Sequence, residues 1–127
     1  MMILTVDIGN SRIKWAQWLA STIIARGVLP YDKSDVASAL DKVFAGIDQP
    51  AAVYAVCVAG DDVTAALTTW VADNWRCEFS LLKTQPHYRD ITHAYDKPDN
   101  HGADRWAALI GARQLFPDES LCVINAG

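Results

Sequence analysis

The sequence is poor in cysteine and has no apolar run of membrane length. Its three cysteines, Cys57, Cys77 and Cys122, are scattered and form no CxxC pair. This pattern excludes a disulfide framework and a zinc knuckle, and it predicts reduced, buried thiols. No stretch approaches the roughly 18 apolar residues of a membrane span. The apolar start "MMILTVD" lacks the basic region and cleavage site of a signal peptide. We therefore expect a cytoplasmic protein that does not act on a membrane.

Basic residues are also scarce. Lys and Arg number 11 against 15 Asp and Glu, which gives a net charge of -4, and no cluster of cations stands out. This balance argues against a nucleic-acid-binding surface. The histidines His87, His93 and His101 lack the spacing of a zinc site. His101 borders a candidate loop, where we expect it to be solvated, with a substrate contact as the alternative.

The first half of the chain predicts a mixed arrangement of strands and helices. Three strands joined by short turns suggest an antiparallel meander, over residues 2–8, 12–19 and 22–29. The period then becomes helical in "SDVASALDKVFAG", with Ser34 as N-cap and Gly46 as stop. The valine-rich run 51–59 is typical of a buried parallel strand.

The second half continues the alternation. A helix capped by Asp61 or Asp62 is followed by a strand over 78–83 and a polar segment over 84–102 without a sustained period. A third helix is predicted over about 103–116, and "SLCVINAG" then predicts a new strand. This order matches an α/β fold with a ribonuclease H-like mixed sheet. By analogy, such a sheet forms one lobe of the actin, Hsp70 and sugar kinase superfamily.

The turn after the first strand carries the first candidate motif. Asp7 lies at the carboxyl end of the strand, where α/β sheets place ligands. Gly9 permits close approach of an anion, Asn10 and Ser11 add donors, and Lys14 adds a cation. Mg²⁺, or water on Mg²⁺, would separate Asp7 from a phosphate. The motif predicts a metal-phosphate site, and the alternative is a tight hairpin with an exposed ion pair.

The second candidate motif lies where a loop enters the third helix. Gly102, Asp104 and Arg105 stand at the helix N-terminus, whose free N–H groups favour an anion or a hydroxyl-rich ligand. The alternative is ordinary capping by Asp104, with Arg105 in a surface ion pair.

Together these motifs resemble the type III pantothenate kinases, a family that includes the Bvg accessory factors. The resemblance rests on "DIGNSRIK" (7–14), "YDKP" (95–98) and "GADR" (102–105). It implies transfer of a phosphoryl group from ATP to the primary hydroxyl of pantothenate, the first step of coenzyme A synthesis. It also implies Mg²⁺ with ATP, a monovalent cation (K⁺ or NH₄⁺), and a homodimer.

The resemblance also implies residue roles. Pantothenate would be held by Tyr95 and by the loop from Gly102 to Arg105, with Asp104 accepting the hydroxyl proton as general base. The residues implied to bind ATP phosphates are Asp7, Ile8, Gly9, Asn10, Ser11, Arg12, Ile13 and Lys14, and those implied to bind pantothenate are Tyr95, Gly102, Ala103, Asp104 and Arg105.

The end of the chain departs from the family pattern. Asn125 stands where the family has an aspartate tied to the monovalent cation, so it keeps an oxygen ligand without the charge. "TVDIG" and "CVINAG" look like the opening strands of two related lobes. We therefore predict a first lobe over 1–117 and the first strand of a truncated second lobe over 118–127, inactive alone. The alternatives are a non-catalytic accessory factor and a two-metal nuclease using Asp7, which the lack of a basic surface disfavours.

Overall fold

The computed structural model describes residues 1–125 and divides into two compact units, Met1–Leu81 and a second that starts at Leu82. The first unit contains a five-stranded sheet in the order β3-β2-β1-β4-β5. Its strands are β1 (Met2–Ile8), β2 (Arg12–Leu19), β3 (Thr22–Pro30), β4 (Ala52–Cys57) and β5 (Glu78–Leu81). β1, β2 and β3 pair antiparallel, whereas β4 runs parallel to β1 and β5 runs parallel to β4. The predicted meander and the predicted parallel strand are both confirmed.

Two helices, α1 (Val36–Phe44) and α2 (Asp61–Asn74), form the core with one face of this sheet. The residues that give α1 its helical period are all buried, namely Val36, Ala39, Leu40, Val43 and Phe44. They share the core with Leu4, Val6 and Ile8 of β1. Because successive side chains of a strand point to opposite faces, Asp7 faces away from this core.

Both helices begin differently from the predictions. A single 3₁₀ turn, Lys33–Asp35, precedes α1, and the N-cap of α1 is Asp35 rather than Ser34. Ser34 instead donates its N–H and its hydroxyl to Asp32 Oδ1, which draws it into the preceding turn. At α2, Gly60 occupies the N-cap with φ of 104° and no side-chain cap bond. Neither predicted aspartate caps α2, because the helix already includes Asp61 and Asp62.

The second unit contains a short hairpin and one helix. Strands β6 (His87–Tyr88) and β7 (Ile91–Thr92) pair antiparallel, a 3₁₀ turn covers Pro98–Asn100, and α3 covers Ala103–Leu115. The third predicted helix is confirmed. The hairpin was not predicted, because two-residue strands are too short to show a period.

The segment 118–125 has neither helix nor strand, so the strand predicted in "SLCVINAG" is not observed in its described part. A strand needs a neighbour for its backbone groups, and no described strand pairs with this segment. The predicted strand also includes Ala126 and Gly127, which lie outside the described residues. The division into lobes at residues 117 and 118 stays a prediction.

The predicted burial of all three thiols was wrong. Cys57 and Cys77 are half-buried and Cys122 is exposed. Cys122 lies in the segment 118–125, which has neither helix nor strand. Across residues 1–125, no helix is both long enough and apolar enough to span a membrane.

Candidate active site

The turn between β1 and β2 is fixed by side chains that follow β3. Tyr31 Oη donates to the carbonyl of Gly9 at 2.6 Å, and Tyr31 N–H donates to the carbonyl of Ser11 at 3.1 Å. Lys33 Nζ donates to Asn10 Oδ1 at 2.6 Å. Burial, followed by the nearby Cys57, raises the pKa of Tyr31, so its phenol stays a donor at neutral pH. Residues 9–11 are therefore held in place by hydrogen bonds from Tyr31 and Lys33, which follow β3.

Asp7 and Lys14 lie directly opposite each other on β1 and β2. Directly opposed residues of an antiparallel pair share a face, with Cβ atoms about 4.5–5.5 Å apart. This is the face away from the core, where Lys14 is exposed and Asp7 is half-buried. The predicted carboxylate and cation are thus brought together beside the turn, as a phosphate site with a bridging Mg²⁺ would need.

Gly9 has no obvious role in the fold. Its N–H donates to the carbonyl of Arg12 at 3.0 Å, and a Cβ added to Gly9 would meet only that oxygen, at an ordinary 3.8 Å. The space beside this glycine is therefore open to a ligand. By contrast, Ile8 and Ile13 are fully buried, so within the implied phosphate-binding run they can offer only backbone groups.

The turn lies at the edge of the sheet where parallel strands end. Ile8 pairs with Cys57 at the ends of β1 and β4, and Val58 N–H donates to the carbonyl of Ile8 at 3.0 Å. Helix α2 starts three residues later, after Gly60. The carboxyl ends of β1 and β4 therefore meet at this edge, which is where α/β sheets bind ligands. Sequence reasoning missed the contribution of β4 here; the signal was Gly60, directly after a buried strand and before a helix.

In the second unit, the start of α3 holds Asp104 in a defined position. Asp104 Oδ1 accepts the backbone N–H of Arg105 at 2.8 Å, which fixes the carboxylate at the first turn of α3. A Cβ added to Gly102 would lie 2.7 Å from Asp104 Oδ1. The glycine is therefore needed for this carboxylate position. Ala103 is half-buried at the first turn of α3, whereas Arg105 is exposed.

Tyr95 also belongs to the second unit, in the segment between β7 and α3. Its side chain is 46% exposed, and its ring stacks on that of His101 with centroids 5.1 Å apart and planes inclined by 20°. The expectation that His101 is solvated was wrong, because it is only 9% exposed. Burial, followed by His93, lowers the pKa of His101.

Trp106 lies beside these rings and is almost completely buried. Its ring centroid is 5.4 Å from that of His93. Its indole Nε1 has no hydrogen-bond acceptor within the described part of the chain. Its position on α3 is consistent with burial, whereas nothing in the sequence pattern indicates an unpaired donor.

Of the two implied cations, Mg²⁺ would be held by Asp7 and the monovalent cation by Asn125. Residues 1–125 contain no group of three or more His, Cys, Asp or Glu side chains that could enclose a metal. Mg²⁺ commonly needs only one or two carboxylates together with substrate phosphates, and half-buried Asp7 would supply one. Asn125 is exposed in a segment without regular structure, so the fold adds no support to the cation prediction.

A solved structure with a related fold is that of a proposed N-acetylmannosamine kinase from Listeria monocytogenes. It matches 65% of this chain and 35% of its own, with a TM-score of 0.51 and 14% identity. Together with the mixed sheet and its helices, this likeness confirms the predicted fold class, an α/β fold with a ribonuclease H-like mixed sheet.

The family is defined by sequence. The family model described as type III pantothenate kinase matches residues 3–127, and the chain belongs to that family. A type III pantothenate kinase of Burkholderia multivorans is 36% identical over 126 residues, covering 98% of this chain and 47% of the relative. One from Nitrosococcus oceani is 31% identical, with 99% and 49% covered. The chain thus spans about half the length of these curated relatives.

Proposed function

We propose that this chain supplies the phosphate-binding and pantothenate-binding segments of a type III pantothenate kinase. The observation that carries the proposal is the pair Asp7 and Lys14, opposed on the face away from the core beside a glycine that the fold does not need. Family membership supports the substrates, ATP and pantothenate. The proposal includes a cytoplasmic homodimer that uses K⁺ or NH₄⁺.

In the proposed reaction, the primary hydroxyl of pantothenate attacks the γ-phosphorus of ATP. The new O–P bond forms as the bond to the bridging oxygen of ADP breaks, and the hydroxyl proton passes to Asp104. Lys14 holds phosphate oxygens, and the backbone beside Gly9 donates to them. Mg²⁺, when bound with ATP, neutralises phosphate charge. Such transfer relies on alignment and charge stabilisation more than on covalent chemistry. We also propose that residues 1–127 alone do not turn over, because the relatives carry about as much chain again.

The test is coupled ADP release by the protein expressed from its complete gene, with pantothenate, Mg-ATP and K⁺ or NH₄⁺. Lys14→Met should raise the KM for ATP by about 10- to 100-fold, the range for a lost charge-assisted hydrogen bond. Lys42→Met, at an exposed position of α1, is the matched control and should leave it unchanged. Absence of pantothenate-dependent ADP release would refute the function. An unchanged KM in Lys14→Met would refute the phosphate site.

Gly9→Ala tests whether a phosphate approaches the backbone of the turn closely, without changing the charge of Lys14 or Asp7. The added methyl meets only a carbonyl at 3.8 Å, so stability should not fall. The same methyl would stand between the backbone and a bound phosphate, so the KM for ATP should rise. Gly46→Ala, where an added Cβ meets nothing within 4 Å, is the control. Equal KM values for these two variants would exclude close backbone approach at Gly9.

A further inference from the structure

Two histidines of the second unit form a hydrogen-bonded pair beneath Tyr95. His93 Nε2 and His101 Nδ1 are 2.9 Å apart, and the backbone N–H of Tyr95 donates to His93 Nδ1 at 3.1 Å. The ring of His93 also meets the ring of Tyr95 edge-on at 5.0 Å. Thr84 Oγ1 donates to the carbonyl of His101 at 2.6 Å, which fixes the backbone on which the buried ring stands. The histidine pair therefore contacts Tyr95 in two ways, through its backbone N–H and through its ring.

The direction of these bonds follows from the backbone N–H of Tyr95. This group can only donate, so His93 Nδ1 must be unprotonated. Neutral His93 then carries its proton on Nε2 and donates it to His101 Nδ1. Neutral His101 in turn carries its proton on Nε2. One fixed donor thus determines the tautomers of both rings.

Protonation of either ring disrupts the arrangement. A proton on His93 Nδ1 meets the N–H of Tyr95, and a proton on His101 Nδ1 meets the N–H of His93. The charged groups that act on His101 are His93 and Arg105, which lower its pKa, and Asp104, which raises it, all weaker than burial. Because folding favours neutral His101, the stabilisation is complete above its ordinary pKa of 6.5 and is lost as the pH falls below that value.

We propose that His93 and His101 are positioning residues that hold Tyr95 and the adjoining Gly102 loop ready for pantothenate only while both rings are neutral. This inference rests on the proposed function, which assigns Tyr95 and the loop to that substrate. His101 directly precedes Gly102, so a movement of its ring and backbone reaches the loop without any intervening residue. Acidification should therefore weaken pantothenate binding through the histidine pair.

Two substitutions separate the hydrogen bond from the ring stack. His101→Asn keeps an acceptor close to the position of Nδ1 and removes the ring, whereas His101→Phe keeps the ring and removes the acceptor. His87→Gln is the matched control, since His87 is exposed on β6 and outside the pair. The first measurement is the ¹⁵N NMR spectrum of the imidazoles in the free protein, which reports tautomers without any enzyme assay. Both rings should be Nε2-protonated at neutral pH, and a proton on Nδ1 of either would overturn the proposal.

The second measurement is the KM for pantothenate from about pH 8 to about pH 5.5, a range that spans histidine titration. In the wild type it should rise by about fivefold or more on acidification, the factor for one net hydrogen bond, with a smaller change in kcat. His101→Phe should show the raised KM at every pH, and His101→Asn should retain part of the low value. If His101→Phe is active and its KM for pantothenate equals that of His87→Gln at every pH, the positioning role is refuted and the proposed function is not. Absence of activity in the wild-type protein expressed from its complete gene would instead refute the proposed function.

Discussion

Gly102→Ala is the sharpest test of Asp104 as the catalytic carboxylate. The new Cβ would lie 2.7 Å from Asp104 Oδ1, whereas ordinary contact begins at 3.4 Å, so the carboxylate must move by the difference or more. A misplacement approaching 1 Å can cost about 100-fold in rate. We expect kcat to fall by about 10- to 100-fold. The backbone at Gly102, with φ of -56° and ψ of 139°, suits alanine, so stability should be unchanged or about 0.5 kcal/mol higher.

The assay pairs steady-state kinetics with urea unfolding, and Gly111→Ala supplies the control. Gly111 lies within the same helix, α3, and a Cβ there meets nothing within 4 Å. That variant should gain about 1 kcal/mol from helix propensity and keep its kcat. If Gly102→Ala folds as expected and turns over at the wild-type rate, Asp104 does not need its observed position. The assignment of Asp104 as the base would then fail.

Three further substitutions test single contacts. Asp104→Asn keeps an acceptor for the next N–H but cannot take a proton, so kcat should fall by about 10²- to 10⁴-fold with the fold intact; near-normal turnover would contradict the base. Tyr31→Phe removes the 2.6 Å hydrogen bond to the carbonyl of Gly9, so the free energy of unfolding in urea should fall by about 1 kcal/mol. An unchanged free energy of unfolding would show that the turn does not depend on this bond. Trp70 Nε1 donates to Asp41 Oδ1 at 2.7 Å, so Trp70→Phe should lower the free energy of unfolding by about 1 kcal/mol. If Trp70→Ala lowers it by no more than Trp70→Phe, packing of the ring contributes nothing to stability.

The first unit could be predicted from sequence because its elements are long and its burial is periodic. The α1 stripe and the strands β1 to β3 each carry several repeats of their pattern, and β4 is an unbroken apolar run, which together fix element type and approximate bounds. The helix starts could not be predicted as well. At α1, two aspartates and a serine compete within four residues, and only their geometry decides that Asp35 is the N-cap. Sequence order alone cannot rank such local hydrogen bonds.

The candidate site was predictable where it coincides with the ends of elements. Asp7 and Lys14 were visible because a charge at the tip of an apolar strand is unusual, and their pairing follows from hairpin register. The histidine pair was not visible. His93 and His101 are separated by seven residues that contain no strand and no α-helix, and no period relates them. Their hydrogen bond depends on how the segment before α3 folds back, which only the structure supplies.

Three glycines show how fold and ligand requirements can be separated. At Gly27, an added Cβ would strike the Trp15 ring at 2.8 Å, so the packing of the sheet itself demands glycine. At Gly102, the obstruction is the carboxylate of Asp104, a half-buried group that is absent from the hydrophobic core. At Gly9, the fold presents no obstruction within 3.4 Å. Glycine is therefore required at Gly27 by the packing of the sheet and at Gly102 by the position of the Asp104 carboxylate. At Gly9 the fold does not require it, and the space beside the backbone is open. The last two positions belong to the two motifs that the family resemblance assigns to substrates, which is where a constraint from ligands rather than from folding is expected.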